Sequence, residues 1–337
     1  MNFLLTGGSG FLGRHLARDL LERYGDSRIC IFDINKDTSK LPPYMLNGRV
    51  DLNLGLDVCS PNDLQRVMGN VDIVFHLAGI ISFSRCDKEL LERVHVDGTR
   101  KVVECALRNR NVRRIVHVSS VAALGYADSK ENPVDEGFEY DWKIAERWKK
   151  DYMITKRGGD LVVREGIKNG LDCVIARPGL MWGPMGELNS LAYIRAVRDG
   201  KMPFCMPGGT NVVDVRDVSR GLIDLAEKGK CREDYLLSGE NLSFREITDT
   251  IASLIGVQPP KYTLPRTLCD PLAFMLGLVE DLSGRRIPLT ADNVHSAKRF
   301  RYFNNSKAEI QLGWKPEICF KQTVKDVVEW GKREGYL

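Results

Sequence analysis

The first half of the 337-residue chain alternates short apolar runs with stretches of helical periodicity. Phe3 to Leu5 reads as a buried strand, and after a glycine turn a helical pattern runs from Phe11 to Tyr24. Arg28 to Asp33 gives a second strand and Val50 to Val58 a third. Ser60-Pro61 opens a helix through Met68. Val71 to Gly79 is a fourth strand, Asp87 to Arg108 a long helix and Arg113 to Ser120 a fifth strand. Asp141 to Asn169 is a second long helix, and Leu171 to Ala176 a sixth strand. Strands that are apolar throughout and separated by helices predict an α/β fold, a doubly wound parallel sheet of the Rossmann kind.

After Trp182-Gly183-Pro184 the pattern loosens. Val212 to Ala226 starts like a strand and continues as a helix, and Asp234 to Ser238 is a short strand. Ser243-Phe244-Arg245-Glu246 has capping-box spacing before a helix to Ile255. Phe320 to Glu334 is amphipathic and helical. Leu268 to Leu282 is apolar but interrupted by Asp270, Pro271, Glu280 and Asp281; it reads first as core, with a lid or an oligomer contact as alternatives. The chain divides softly into 1–176, a cofactor-binding Rossmann domain, and 177–337, mainly a smaller, irregular substrate-binding lobe. Further sheet elements return to the larger domain from about 212–238.

Composition removes several function classes. A net charge of +4 without a long basic block gives no reason to expect nucleic acid. The nine cysteines form no C-x-x-C pair and no Cys/His cluster at zinc spacing, so free thiols in a reducing compartment are expected, and no metal. Met1 and Asn2 lead straight into the first strand, leaving no room for a cleavable leader. No apolar run is long enough to span a membrane. These features point to a cytoplasmic protein.

The candidate chemistry starts at Gly7, Gly10 and Gly13, spaced G-x-x-G-x-x-G between the first strand and its helix. Gly7 permits a tight turn, Gly10 lets backbone approach a pyrophosphate, and Gly13 lets the helix pack close to the strand. The helix N-terminus offers N–H groups to phosphate. Asp33 ends the second strand, where a carboxylate can hold the adenosine ribose hydroxyls and repel a 2′-phosphate. NAD is therefore favoured over NADP, although Lys36 lies just downstream. Asp57, near the end of the third strand, suits either the adenine amino group or a helix cap. His76, inside an apolar run, reads as packed core. Ser119-Ser120 ends the fifth strand at the ligand face. Tyr152 and Lys156 lie at i and i+4 on one helix face. A lysine ammonium lowers a neighbouring tyrosine's pKa from about 10. Tyr152 can then exchange a proton with an alcohol oxygen while Ser120 hydrogen-bonds that oxygen. Lys156 can also hold the nicotinamide ribose. Gly158-Gly159 in the same helix imply close packing, against the sheet or the cofactor.

Together these motifs resemble an extended short-chain dehydrogenase/reductase of the NAD-dependent epimerase/dehydratase superfamily, over nearly the whole chain. The resemblance rests on TGGSGFLG, the DV at 57–58, HLAG at 76–79, VHVDGT at 94–99, VSSVAALG at 118–125, YMITK at 152–156, RPGLMWGP at 177–184, and Val213 through Gly239. It implies Ser120, Tyr152 and Lys156 as the catalytic set, Ser120 rather than Ser119 because Gly125 lies five residues on. It extends the cofactor site to Phe11, Leu12, Val58, Leu77, Ala78, Gly79, His95, Pro178 and Gly179. It also implies a homodimer built on the helices near 87–108 and 141–169. His95 stands where the family often has Asn. Leu180 stands where sugar-nucleotide epimerases carry a phosphate-gripping Asn, and no Arg lies near Thr210. With Ile80, Ile81, Phe83, Met181, Trp182 and Met185, the substrate side is apolar, and Ile81, Phe83, Leu180 and Trp182 are its expected contacts. The closest resemblance is thus to the dihydroflavonol-reductase and 3β-hydroxysteroid-dehydrogenase-like branch, an NAD(P)-dependent oxidoreductase acting on an alcohol or ketone. The alternative is a nucleoside-diphosphate-sugar epimerase or dehydratase that keeps its NAD.

Overall fold

The computed structural model describes residues 1–188 and 190–337. Its larger sheet has seven parallel strands in the order β3-β2-β1-β4-β5-β6-β9. These are β1 (Asn2–Thr6), β2 (Arg28–Asp33), β3 (Val50–Leu54), β4 (Ile73–His76), β5 (Arg114–Val118), β6 (Cys173–Pro178) and β9 (Asp234–Leu237). The strand order reverses between β1 and β4, and the crevice outside their C-terminal ends is where a parallel sheet receives a ligand.

Helices cover both faces. On one, α1 (Phe11–Arg23) packs beside α8 (Val215–Lys228), burying Leu16, Leu20, Val218 and Leu222 against Phe3, Leu5 and Val116. On the other, α2 (Pro61–Met68), α4 (Thr99–Arg108) and α6 (Asp151–Lys168) bury Leu64, Val102 and Val163 against Leu4, Val74 and Ile175. Burial on both faces explains why the strands read as continuous apolar runs.

The smaller sheet is built on β8 (Gly209–Asp214), which pairs with β7 (Leu180–Trp182), β10 (Glu240–Ser243) and β11 (Phe300–Arg301). The strand near 212 therefore belongs to the smaller sheet, and only β9 returns to the larger one. Beside the smaller sheet, α7 (Ser190–Arg198), α9 (Phe244–Ile255) and α13 (Phe320–Arg333) close a second core around Ile194, Val212, Ile251 and Val324. The capping box of Ser243 and Glu246 starts α9 with both of its hydrogen bonds present.

Four segments depart from the sequence expectation. The third strand stops at Leu54 because Gly55 takes φ +76°, with the Lys36 stem lying across it. The helix expected over 87–108 is α3 (Lys88–Glu92), a wide π-type turn over Arg93–Gly98, and then α4. The helix expected over 141–169 is broken into α5 (Trp142–Arg147) and α6. Tertiary contacts make that break: Trp148 stacks on His295 at 3.9 Å, and buried Lys150 reaches Asp292 at 2.6 Å. Both partners lie in α11 (Ala291–Ala297), and Lys149 turns the corner at φ +49°. Last, 268–282 is core along one face only, where Cys269 and Ala273 pack with Val294. It lies in α10 (Arg266–Ser283), which buries only the stripe Cys269, Ala273, Gly277 and Glu280.

Candidate active site

The β1–α1 turn is shaped by its glycines. Gly7 sits at φ +69°, and a Cβ there would lie 2.8 Å from the Ala78 backbone across the β1/β4 crevice. A Cβ on Gly13 would come within 2.4 Å of the Gly8 carbonyl, so Gly13 is needed for packing against its own turn rather than against the strand. Over Gly10 the nearest atom is the Gly7 carbonyl at 3.1 Å, and the rest of that face is open. No side chain caps α1, which leaves the N–H groups around Phe11, Leu12 and Gly13 to an external anion. Asp33 accepts the Ser9 N–H at 3.0 Å and the Asn35 N–H at 3.0 Å. One hydrogen bond on each oxygen leaves lone pairs for hydroxyl donors.

Leu77 and Ala78 hang from Thr6, through its carbonyl at 3.0 Å and its hydroxyl at 3.3 Å, so their backbone lines the crevice. His76 is buried between the Thr6 hydroxyl at 2.7 Å and the Thr99 hydroxyl at 3.0 Å, a core histidine. Asp57 caps a local turn by accepting Cys59 N–H at 2.9 Å and pairs with Arg93, while Val58 is buried in the core beside Gly98. Pro178 ends β6. Gly179 follows so close to Asn211 that a Cβ would lie 2.3 Å from its side-chain oxygen.

Tyr152 and Lys156 project from α6. The Tyr152 ring meets Phe83 edge-on at 5.5 Å and His95 edge-on at 5.7 Å. Burial pushes its pKa up to about 12, opposed by hydrogen bonding with Ser120. Ser120 itself caps the turn after β5, accepting the Ala122 N–H at 3.1 Å. Lys156 is buried below Gly79, whose Cβ, if present, would lie 3.2 Å from the ammonium. Its one short polar contact is the Val118 carbonyl at 3.4 Å. Burial lowers its pKa to about 8, and the Asp160 carboxylate opposes that fall.

His95 occupies the π-type turn. Its ring joins the Ile80 carbonyl at 3.0 Å to the Thr155 hydroxyl at 2.9 Å. Burial first, then the nearby Lys156 charge, keeps the imidazole neutral. Gly158 and Gly159 let α6 approach this turn: their missing Cβ atoms would strike Val96 at 2.8 Å and the His95 carbonyl at 2.6 Å. The glycine pair thus packs on a helical turn, not on the sheet.

Sequence reasoning missed the charges behind Lys156. Arg177, at the end of β6, is buried and donates to Asp160 at 2.6 Å and to Asp234 at 2.7 Å. His117 Nε2 lies 3.4 Å from Asp160. Burial alone would raise the Asp160 carboxyl, but Arg177, then His117, hold it well below the usual carboxylate range. The i,i+4 spacing of Lys156 and Asp160 was available as a signal; Arg177 arrives from another strand.

At the substrate side, Ile81, Phe83 and Leu180 are exposed by 57, 36 and 40%, forming a mouth of apolar groups. Trp182 is a correction. It is 2% exposed, packed edge-on to Tyr193 and Phe320, so its ring belongs to the core of the smaller lobe. Among the described residues no cluster of His, Cys, Asp or Glu could hold a metal.

Known proteins resemble this chain along nearly its whole length. Residues 4–219 match the 3-beta hydroxysteroid dehydrogenase/isomerase family. A Synechocystis sp. protein bearing a dihydroflavonol 4-reductase name is 30% identical, the match covering 99% of this chain and 96% of that protein. Mouse (Mus musculus) sterol-4-alpha-carboxylate 3-dehydrogenase, decarboxylating, is 30% identical, with 96% and 89% covered. The crystal structure of gox2253 superposes with a TM-score of 0.84 at 28% identity, over 99% of each chain. A DesIV dTDP-glucose 4,6-dehydratase from Streptomyces venezuelae, crystallised with NAD, gives a TM-score of 0.79 over 98% and 97%. Its 24% identity speaks for the fold alone.

Proposed function

We propose that this chain, which belongs to the 3-beta hydroxysteroid dehydrogenase/isomerase family, transfers a hydride between NAD and the alcohol or ketone carbon of a largely apolar, ring-bearing small molecule. The observation that carries the substrate class is the wall around Tyr152. Phe83 stands against the phenol, and Ile81 and Leu180 are exposed at the mouth. A reacting oxygen at Tyr152 is therefore attached to a body that meets hydrocarbon.

The uncapped start of α1, the open face of Gly10 and the free lone pairs of Asp33 fit a dinucleotide: pyrophosphate on the turn, adenosine ribose on Asp33. Leu77 to Gly79, His95, Pro178 and Gly179 border the nicotinamide end in this assignment, Asp57 and Val58 the adenine end, and Lys156 holds the ribose. When bound, NAD supplies the hydride acceptor and, reduced, the donor. The chain's own part is to move the proton. At pH 7 burial keeps Tyr152 a phenol and leaves Lys156 an ammonium. In the reductive direction Tyr152 gives its proton to the carbonyl oxygen. In the oxidative direction Tyr152 first releases its own proton to solvent; as the phenolate, beside the Lys156 ammonium, it then takes the proton of the alcohol while Ser120 holds the same oxygen.

The sugar-nucleotide reading is the weaker one. Leu180 offers no hydrogen bond to a diphosphate, and Thr210 is buried within β8. Within this proposal, 1–176 with β9 holds the cofactor and 177–337 shapes the substrate side. Exposed Leu90, Leu107 and Leu161 on α3, α4 and α6 support a homodimer through those helices. Nine free cysteines support a reducing, cytoplasmic compartment.

The test is NADH absorbance with excess NAD and a panel of hydroxysteroids, flavonoid-type alcohols and UDP- or GDP-sugars, each sugar also analysed for isomerisation. NADH in proportion to an apolar alcohol is expected, and Tyr152→Phe should abolish it while NAD still binds. A sugar nucleotide changing configuration without net NADH overturns the substrate class. Full turnover by Tyr152→Phe overturns the assignment of the acid–base group.

A further inference from the structure

The loop that carries the apolar mouth has little bonding of its own. After β4 it runs from Gly79 through Ile80, Ile81, Ser82 and Phe83 to Ser84, which caps the next turn. Among the described residues, the backbone N–H groups of Gly79, Ile81, Ser82 and Phe83 find no acceptor. That of Ile80 does: it donates to His95 Nε2 at 3.2 Å. The Ile80 carbonyl faces the same nitrogen at 3.0 Å. Ile81 and Phe83 are exposed, so packing does little to fix them. At the far side the Ser82 hydroxyl donates to Asp87 at 2.6 Å.

His95 is itself anchored. Its Nδ1 lies 2.9 Å from the hydroxyl of Thr155, which stands between Tyr152 and Lys156 on α6. Either neutral tautomer serves both sides. With the proton on Nδ1, the ring donates to Thr155 and accepts the Ile80 N–H. With the proton on Nε2, it accepts from Thr155 and donates to the Ile80 carbonyl. Held between these anchors, the ring meets Tyr152 edge-on at 5.7 Å, and Phe83 from the loop meets Tyr152 at 5.5 Å. A Cβ on Gly79 would lie 3.2 Å from Lys156 Nζ and 3.5 Å from His95 Nε2, so the loop begins against both groups.

We propose that His95 is a positioning residue: it fastens the mouth loop at Ile80 to the part of α6 that carries Tyr152, and so sets how the apolar body of the substrate meets the reacting oxygen. This role goes beyond bordering the nicotinamide. Its consequence for turnover rests on the proposed reaction, while the fastening of the loop does not. The Asn that the family often carries here ends near the place of Nδ1 and falls short of Ile80. A Gln ends near the place of Nε2 and reaches it.

The test is hydrogen exchange at the Ile80 amide of the full chain, read by mass spectrometry from overlapping peptides, for the native protein, His95→Asn and His95→Gln. KM and kcat are measured beside it, at saturating NAD, with the apolar alcohol that yields NADH. Melting temperatures establish that each variant is folded. Exchange should be about tenfold faster or more in His95→Asn and within about threefold of native in His95→Gln. KM should rise by about tenfold in His95→Asn, more than kcat changes, and return toward the native value in His95→Gln. Thr155→Val keeps α6 filled but removes the anchor of the ring, and it should loosen the same amide, so the outcome does not hang on one position. Native exchange in both His95→Asn and Thr155→Val overturns the proposal. Equal effects of Asn and Gln also overturn it, because they mark a packing role only. Weakened NAD binding with exchange and KM unchanged assigns His95 to the nicotinamide instead. If no apolar alcohol yields NADH while the amide loosens as expected, the fastening stands and the substrate reading falls.

Discussion

All five histidines of this chain are buried, which makes acid a sharp probe of the fold. His15, His76, His95, His117 and His295 are exposed by only 1, 1, 3, 4 and 1%. Burial is the foremost cause lowering every one of their pKa values, to about 4 for His15 and about 2 for His95 and His295. The unfolded chain, with histidines near 6.5, therefore binds protons that the folded chain refuses, and stability rises with pH in this window. On acidification, each of His15, His76, His95 and His295 costs about 1.4 kcal/mol by one pH unit below 6.5, or about 6 kcal/mol for the four together, and His117 adds less because Asp160 opposes its fall. A domain's whole stability is about 5–15 kcal/mol. Burial also raises the carboxyl pKa values of Glu136, Asp151 and Asp217, which pull the other way. The expected outcome is cooperative acid unfolding at about pH 5 to 6.

Urea unfolding followed by circular dichroism, repeated from about pH 7.5 to about pH 5, measures this directly, since the slope of stability against pH counts the protons taken up. A slope approaching four protons, less what the raised carboxyls take up in the folded state, is expected at the acid end of that range. His295→Phe keeps a ring against Trp148 and should remove one proton from the slope. A slope below about one proton would refute the reasoning, because the histidines would then be reached by water or paired in ways their burial denies.

Two further substitutions probe the joints of the molecule. Lys150→Met leaves the Asp292 carboxylate buried without its cation and should cost about 3–5 kcal/mol in urea unfolding, much of it recovered by adding Asp292→Leu. Gly13→Ala forces a Cβ to within 2.4 Å of the Gly8 carbonyl, which should cost about 1–3 kcal/mol of stability and weaken NAD binding in a fluorescence titration; unchanged affinity would detach the turn from the cofactor.

The larger sheet was legible because strands buried on both faces must be apolar along their whole length, and Leu4, Val74 and Ile175 show that burial. The glycine turn was legible because backbone crowding at Gly7 and Gly13 excludes any other residue. Readings failed where a distant partner overrides local pattern. Nothing near Trp148 announces that His295 will stack on it, or that Lys150 will cross to Asp292, so the local pattern runs on as one helix through the break. Trp182 sits in an apolar run beside the expected mouth, but its strand β7 turns the ring toward Phe320, some 140 positions away in sequence (roughly, by count). In α10 the apolar positions are numerous, and sequence alone does not say which of two apolar faces finds a partner.

The candidate site divides along the same line. Tyr152, Lys156 and Asp160 share one helix face by spacing, so their association is local and was available in advance. What tunes them is not local. Asp160 remains a carboxylate beside Lys156 because Arg177 reaches it from β6, and Arg177 is itself shared with Asp234 at the start of β9. His95 meets Tyr152 because a π-type turn rotates it there, and α6 comes close enough only because Gly158 and Gly159 carry no Cβ. The candidate groups are thus written in short motifs, while their protonation and placement depend on strands and turns that only the folded sheet brings together.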